Sequence, residues 1–277
     1  MFCLAVSVIL LATTVALIMA TFISYYCLSV THYNIIDQNF SENIKVVVLA
    51  DLHDSSFGKD NSRLIQKVKL EEPDLICVVG DMLSYYTEDY SYLESLYSQL
   101  SDIAPTYCSL GNHEFYHEDF EEIKEIMQDQ SDGLLEFRYV DLNIKGNDIR
   151  IGGLSMYAYN NFKHTSFVRE FSETDRYTIL LHHQPEYYLW GIEDYDIDLS
   201  LSGHTHGGQV IVPFKGGIYA PEQGWWPEYD YGQFTEENGN NIIITRGLGS
   251  SSQKAPRFNN IPEIVSITVS AEECYEH

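Results

Sequence analysis

Lys45-Val46-Val47-Val48-Leu49-Ala50-Asp51-Leu52-His53 decides the reading of this chain. An apolar, β-branched run of strand type ends directly on a carboxylate and an imidazole two positions apart. The arrangement recurs downstream. Leu75-Ile76-Cys77-Val78-Val79 runs into Gly80-Asp81, and Ile179-Leu180-Leu181 runs into His182-His183-Gln184-Pro185. Two further clusters, Gly111-Asn112-His113-Glu114 and Gly203-His204-Thr205-His206-Gly207-Gly208-Gln209, complete a set that reads as ligands presented at strand ends.

The residue types define the chemistry. Asp51 and His53, like His204 and His206, are two positions apart, so on extended backbone each pair is expected to point to one side. Carboxylate and neutral imidazole suit divalent zinc, manganese, iron or nickel, and no Cys falls in any cluster. Asp51, His53, Asp81, Asn112, one of His182 and His183, His204 and His206 make seven ligands. That is too many for one tetrahedral ion and suits two ions sharing a carboxylate. Adjacent strand residues face opposite sides, so only one of His182 and His183 is expected to reach the metals. His32, His117, His164 and His277 belong to no cluster and receive no role.

Taken together, the five clusters resemble the calcineurin-like metallophosphoesterases, whose pattern runs Asp-X-His, Gly-Asp, Gly-Asn-His-Asp/Glu, His, Gly-His-X-His. The stretch Gly203–Gln209 is similar to the bacterial branch that ends in Gly-His-Thr-His-Gly-Gly-Gln. Arg246-Gly247-Leu248-Gly249, Pro256-Arg257 and Ile261-Pro262-Glu263-Ile264 resemble it too. The resemblance implies that Asp51, His53 and His206 bind one ion, that Asn112, His183 and His204 bind another, and that Asp81 bridges them. His183 is chosen over His182 because Gln184 and Pro185 complete the family's His-X-Pro. The resemblance further implies a metal-bridged hydroxide as nucleophile and a catalytic, non-ligand His113. Glu114 is expected to orient that imidazole.

Composition bounds the class. At 277 residues with 44% hydrophobic content, the chain can close one substantial core. A formal charge of -25 weighs against a nucleic-acid partner, because polyphosphate normally requires a basic surface. Bound cations inside so acidic an envelope favour a small, singly presented phosphate over a polyanion. The five cysteines Cys3, Cys27, Cys77, Cys108 and Cys274 form neither a zinc spacing nor a disulfide framework.

Phe2 to Val30 contains no charged residue, which exceeds the roughly 20 residues needed to span a bilayer. Residues 2–30 are read as an uncleaved transmembrane anchor in preference to a cleaved signal, 31–44 as a polar connector, and 45–272 as the metallophosphoesterase domain. Strands are expected at 45–50, 75–79, 106–110, near 134–139 and 149–154, then at 177–182, 198–202, 208–212, 241–245 and 263–269. Helices are expected at 61–70, 90–101, 117–128 and from about 185. Early β-α-β alternation followed by consecutive strands gives an α/β class. The resemblance implies a sandwich of two mixed sheets flanked by helices, preceded here by one N-terminal transmembrane helix.

Two stretches stand outside the clusters. Gly247-Leu248-Gly249-Ser250-Ser251-Ser252 is Gly-rich but lacks the Gly-Lys-Ser/Thr ending of a phosphate loop. Gly224-Trp225-Trp226-Pro227-Glu228-Tyr229 combines apolar area with polar handles, which fits either loop packing or contact with substrate or a membrane surface. The expected function is a membrane-anchored phosphohydrolase using two divalent ions (Mn, Fe, Zn, Ni or Mg) on a phosphoester, phosphodiester or pyrophosphate of a small molecule or lipid, such as an envelope precursor. The domain is expected on the extracytoplasmic face. A soluble-nucleotide or generic phosphoesterase, and a non-catalytic metal-bearing scaffold, are the alternatives.

Overall fold

The structure, a computed structural model, describes residues 2–53, 55–154, 163–250 and 257–272. Ser251, Ser252, Pro256, Cys274 and His277 lie outside the described residues, as do the side chains of Cys3 and His164. The chain opens with α1 (Phe2–Tyr26), β1 (Ser29–Ile36) and β2 (Ile44–Leu49). It continues through α2 (Ser62–Glu71), β3 (Leu75–Val79), α3 (Tyr92–Ser101), β4 (Thr106–Ser109), α4 (Asn112–Phe115), α5 (Phe120–Gln130) and β5 (Gly133–Leu134). The second half holds β6 (Arg138–Ile144), β7 (Asn147–Gly153), α6 (Lys163–Ser172), β8 (Tyr177–Leu181) and β9 (Leu199–Ser202). Two short ribbons follow: β10 (Ile211–Val212) with β11 (Gly216–Gly217), and β12 (Tyr219–Ala220) with β13 (Gly224–Trp225). The last strands are β14 (Gly232–Thr235), β15 (Asn241–Ile244) and β16 (Glu263–Ser270).

Two six-stranded mixed sheets result, ordered β1-β16-β2-β3-β4-β5 and β14-β15-β9-β8-β7-β6. Continuous apolar runs build their centres, because a central strand of a covered sheet is buried on both faces. Val46, Val48, Leu75, Cys77 and Val79 point inward and meet Ile149, Ile151, Ile179, Leu181, Leu199, Leu201 and Ile243 of the other sheet. Their neighbours Val47, Leu49, Ile76 and Val78 point outward and pack with Leu64, Val68, Leu96, Leu100, Ile123 and Met127 of the first helical layer. Leu180, Ile242 and Ile244 pack with Val168 and Phe171 of α6 on the far side. The layers are therefore helix, sheet, sheet, helix. The parallel strands β2, β3, β4, β8, β9 and β15 supply loops at their C-terminal ends, where open α/β sheets place ligands.

Several expectations change in detail. The stretch 31–44, expected as a connector, carries most of β1, which pairs in parallel with β16 over eight positions. Its Thr, His and Asn side chains disguise a half-exposed edge strand as a polar linker. The helix expected at 117–128 is α5, which starts three residues later at Phe120, and a short helix not expected from the sequence, α4, precedes it. The helix expected from about 185 is a π-helical turn over Tyr188–Ile192. The strand expected at 208–212 begins with a 3₁₀ turn at His206–Gly208 and becomes β10 only at Ile211. The strand near 134–139 is two elements, β5 and β6, in different sheets. Cys77 and Cys108 are buried free thiols.

Candidate metal centre

Loops from both sheets converge on one buried cluster. β2 delivers Asp51 and His53, β3 delivers Asp81, and α4, which follows β4, carries Asn112 and His113. β8 leads to His183, and β9 leads to His204 and His206. Ligand-type atoms of Asp51, His53 and His206 lie within 4.8 Å of one another, as do those of Asp81, His183 and His204. Asp81 also groups with His53 and His113, so its carboxylate links the second triad to His53 of the first.

The backbone that achieves this is not extended. Asp51, His53, Asp81, His204 and His206 all have positive φ, between 49° and 69°. The pairs two residues apart therefore converge through left-handed loop turns, and the expectation of a common strand face is corrected. Such conformations persist only where surrounding structure holds them, and they concentrate at functional sites. Close approach does the holding here. A side chain at Gly111 would overlap the Asp81 carboxylate, and a Cβ at Gly203 would lie 2.5 Å from Asp51 Oδ2.

Hydrogen bonds then fix the donors. Both Asp51 oxygens accept the His204 amide at 3.1 Å, and Asp81 Oδ1 accepts the His113 amide at 2.8 Å. His183 Nδ1 lies 2.7 Å from the Val79 carbonyl, which places a proton on that nitrogen and turns Nε2 to within 2.9 Å of Asp81 Oδ2. His182 turns away, its Nδ1 3.1 Å from both the Gln184 carbonyl and Ser202 Oγ. His53 Nε2 faces His206 Nε2 at 3.3 Å. The His113 ring stands 4.6 Å from that of His53, centroid to centroid, and its Nδ1 accepts the Tyr85 amide at 3.0 Å. That acceptance leaves the proton of a neutral His113 on Nε2.

Glu114, expected to orient His113, grips the loop backbone. Its Oε2 accepts the amides of Asp81 at 2.8 Å and Gly111 at 2.9 Å, and Oε1 accepts Met82 at 2.6 Å. Glu114→Gln offers one oxygen for three amides and turns an amide donor towards another. We expect a cost of about 1–3 kcal/mol for the buried unpaired groups. The Tm of the metal-free protein should fall by roughly 2–4 °C for each kcal/mol. An unchanged melting curve would show that Glu114 does not hold the Asp81 loop.

The electrostatics mark a cluster built for cations. Burial raises Asp51 to about 6, lowers His53 to about 3 and drives His206 well below an ordinary imidazole. Burial also opposes the charge on Asp81, yet His183 and its hydrogen bond outweigh it and hold that carboxyl below the usual range. The same contact lifts His183 to about 10 against its burial. Burial and then the Asp81 charge push Glu114 up to about 7. Asn112 Oδ1 and His206 Nδ1 are buried without a hydrogen-bond partner. Buried carboxylates, facing imidazoles and an orphaned amide oxygen are costly together unless cations join them. The donor set fits two divalent ions.

Sequence reasoning missed several contributors. Glu222 Oε2 reaches His204 Nε2 at 3.1 Å from the loop between the two strands of the β12–β13 ribbon. Tyr92 donates its hydroxyl to the carbonyls of both His53 and Met82, at 3.0 and 2.9 Å. Arg257, noted only as part of a resemblance, is buried and holds the carbonyls of Arg246, Gly249 and Asn260. It thereby supports the loop after β15, whose Leu248 amide donates to Ala50. No spacing in the chain announces these contacts, since their partners are distant in sequence. Of the histidines given no role, His32 pairs with Glu71 and His117 bonds the Thr87 carbonyl.

Comparison with known proteins gives the family. The sequence profile of the calcineurin-like phosphoesterases matches residues 44–208, and the chain belongs to that family. Its members are metal-dependent phosphoester hydrolases with a dinuclear divalent centre. An uncharacterized metallophosphoesterase of Campylobacter jejuni is 30% identical over 76% of this chain and 55% of its own length. The chain thus spans about half of that relative. The phosphodiesterase YaeI of Escherichia coli is 28% identical over 80% of this chain and 81% of that protein. Among solved structures, the NAD nucleotidase of Haemophilus influenzae aligns with a TM-score of 0.48 and 15% identity, covering 74% of this chain and 50% of that one.

Proposed function

We propose that this chain is a membrane-anchored phosphohydrolase in which Asp51, His53 and His206 hold one divalent ion, Asn112, His183 and His204 hold a second, and Asp81 is shared. The grouping of the Asp81 carboxylate with His183 and His204 on one side and with His53 on the other carries the reading. Bound there, the ions supply Lewis acidity towards a phosphoryl group and lower the pKa of water. The chain's own residues do the rest. Positive-φ loops set donor directions in advance, Glu114 fixes the Asp81 loop, and His113 offers its Nε2 proton to a leaving oxygen. A scaffold requires no such proton donor, so the His113 geometry favours hydrolysis over the non-catalytic alternative.

A phosphodiester is the preferred bond class, supported by the likeness to YaeI. The lipid or envelope substrate rests on α1, of which Ala5–Tyr26 is long and apolar enough to cross a membrane, with a mean hydropathy of 2.5. A domain tethered there meets membrane-borne phosphoesters first, while a soluble nucleotide remains the competing substrate class. The test is turnover by purified protein loaded in turn with Mn, Fe, Zn, Ni and Mg. Bis-aryl phosphodiester, aryl phosphomonoester and pyrophosphate substrates should rank in that order. Two bound ions with no turnover on any substrate would favour the scaffold.

The domain is placed on the extracytoplasmic face. Lys45 is the first Lys or Arg after α1, so the positive-inside rule puts no basic residue next to the span to hold the domain on the cytoplasmic side. Protease added to intact cells should digest the domain while cytosolic markers survive. Protection until the membrane is permeabilised would reverse the orientation.

A further inference from the structure

The surface beside the metal loops changes character between Ile211 and Trp226. Phe214 is fully exposed, Trp225 is 72% exposed, and Trp226 and Tyr219 are about half exposed. Lys215 lies over the Trp226 ring, 5.2 Å from its centroid. In a chain with 41 acidic residues, this segment holds only Glu222, which turns towards His204. An apolar, aromatic, Lys-tipped surface whose one acid, the partly exposed Glu222, is paired with His204 is the composition that settles at a membrane–water interface.

The position of α1 says what covers it. Its 25 residues span about 37 Å at the helical rise, against a hydrocarbon core of roughly 30 Å. The last turn therefore emerges at headgroup depth. There, Ser24 is buried and accepts the Asn260 amide at 3.2 Å. Asn260 also donates its Nδ2 to the His206 and Gln209 carbonyls at 2.7 and 3.1 Å, and Asn259 donates to the Ile211 carbonyl at 3.0 Å. Phe214 is three residues further, at most about 11 Å of chain. The segment is held in place, with the Trp226 amide on Ile218, the Ile218 amide on Val210, and Gly217 on Asp230.

We propose that Ile211–Trp226 is an interfacial docking element that seats against the bilayer surface beside α1, with Phe214, Tyr219, Trp225 and Trp226 entering the headgroup boundary. This rests on the reading of α1 as a membrane span and deepens the proposed function. The same segment that meets lipid reaches the metal loops through Glu222, so a phosphoester at headgroup depth is the substrate class placed nearest the site.

The test uses full-length protein in vesicles of phosphatidylcholine and phosphatidylglycerol, with and without brominated phosphatidylcholine. Brominated lipid should quench part of the tryptophan emission of the natural protein. The Trp225→Phe/Trp226→Phe variant, which retains Trp190, should lose that quenched component. Equal quenching of both proteins, with the protein resisting carbonate extraction, would overturn the docking element while leaving the anchor. Release by carbonate would remove the anchor reading and the proposal with it. No quenching, together with a Phe214→Ser variant of altered oligomeric state in detergent, would assign the surface to a second copy of the chain and overturn the proposal.

Discussion

Asp81→Ala is expected to abolish bis-aryl phosphodiester hydrolysis and to reduce bound metal below two ions per chain. Asp81 is the carboxylate grouped with His183 and His204 on one side and with His53 on the other, so its loss should take a ligand from each ion and leave their mutual repulsion unscreened. The damage extends to the imidazole cluster. His183 Nε2 loses the oxygen 2.9 Å away, and the His113 amide loses its acceptor. A buried imidazolium without its carboxylate is strongly unfavourable, so His183 should become neutral in the metal-free variant. Elemental analysis and turnover on the same preparation check the prediction. Undiminished metal content and rate would remove Asp81 from the centre.

His113→Ala should separate chemistry from metal binding. His113 stands beside the first triad, with Nδ1 occupied by the Tyr85 amide. Its Nε2, which carries the proton of the neutral ring, is suited to donating a proton or a hydrogen bond to phosphoryl oxygen. Removing it should lower the rate by roughly 10²–10⁴-fold, the usual range for a positioned acid or base, while both ions remain. Loss should be smaller for substrates whose leaving group needs no proton. If metal is lost instead, His113 is a ligand.

The legible part of the molecule follows from burial. β2, β3 and β8 are buried on both faces, so beyond Lys45 and Thr178 near the starts of β2 and β8 their sequences are apolar runs, and the polar residue that follows each run marks the start of a loop. β1 is an edge strand, half exposed, and its polar residues hid it from a reading based on hydrophobic runs. The metal-type residues were legible because few other uses explain His and Asp at strand ends. Their conformation was not, since positive φ at Asp51, His53, Asp81, His204 and His206 is imposed by neighbours such as Gly111 and Gly203. The supports of Glu222, Tyr92 and Arg257 depend wholly on tertiary contact, and Glu114 turned out to hold backbone where a side-chain role was expected.

The centre is expected to work only with two ions. Metal-free protein should be titrated with a divalent ion while bound equivalents and phosphodiester hydrolysis are followed together. Two equivalents should bind per chain, with hydrolysis rising as the second binds and vanishing on chelation. Full activity at one equivalent, or activity that survives complete removal of metal, would contradict a two-ion centre.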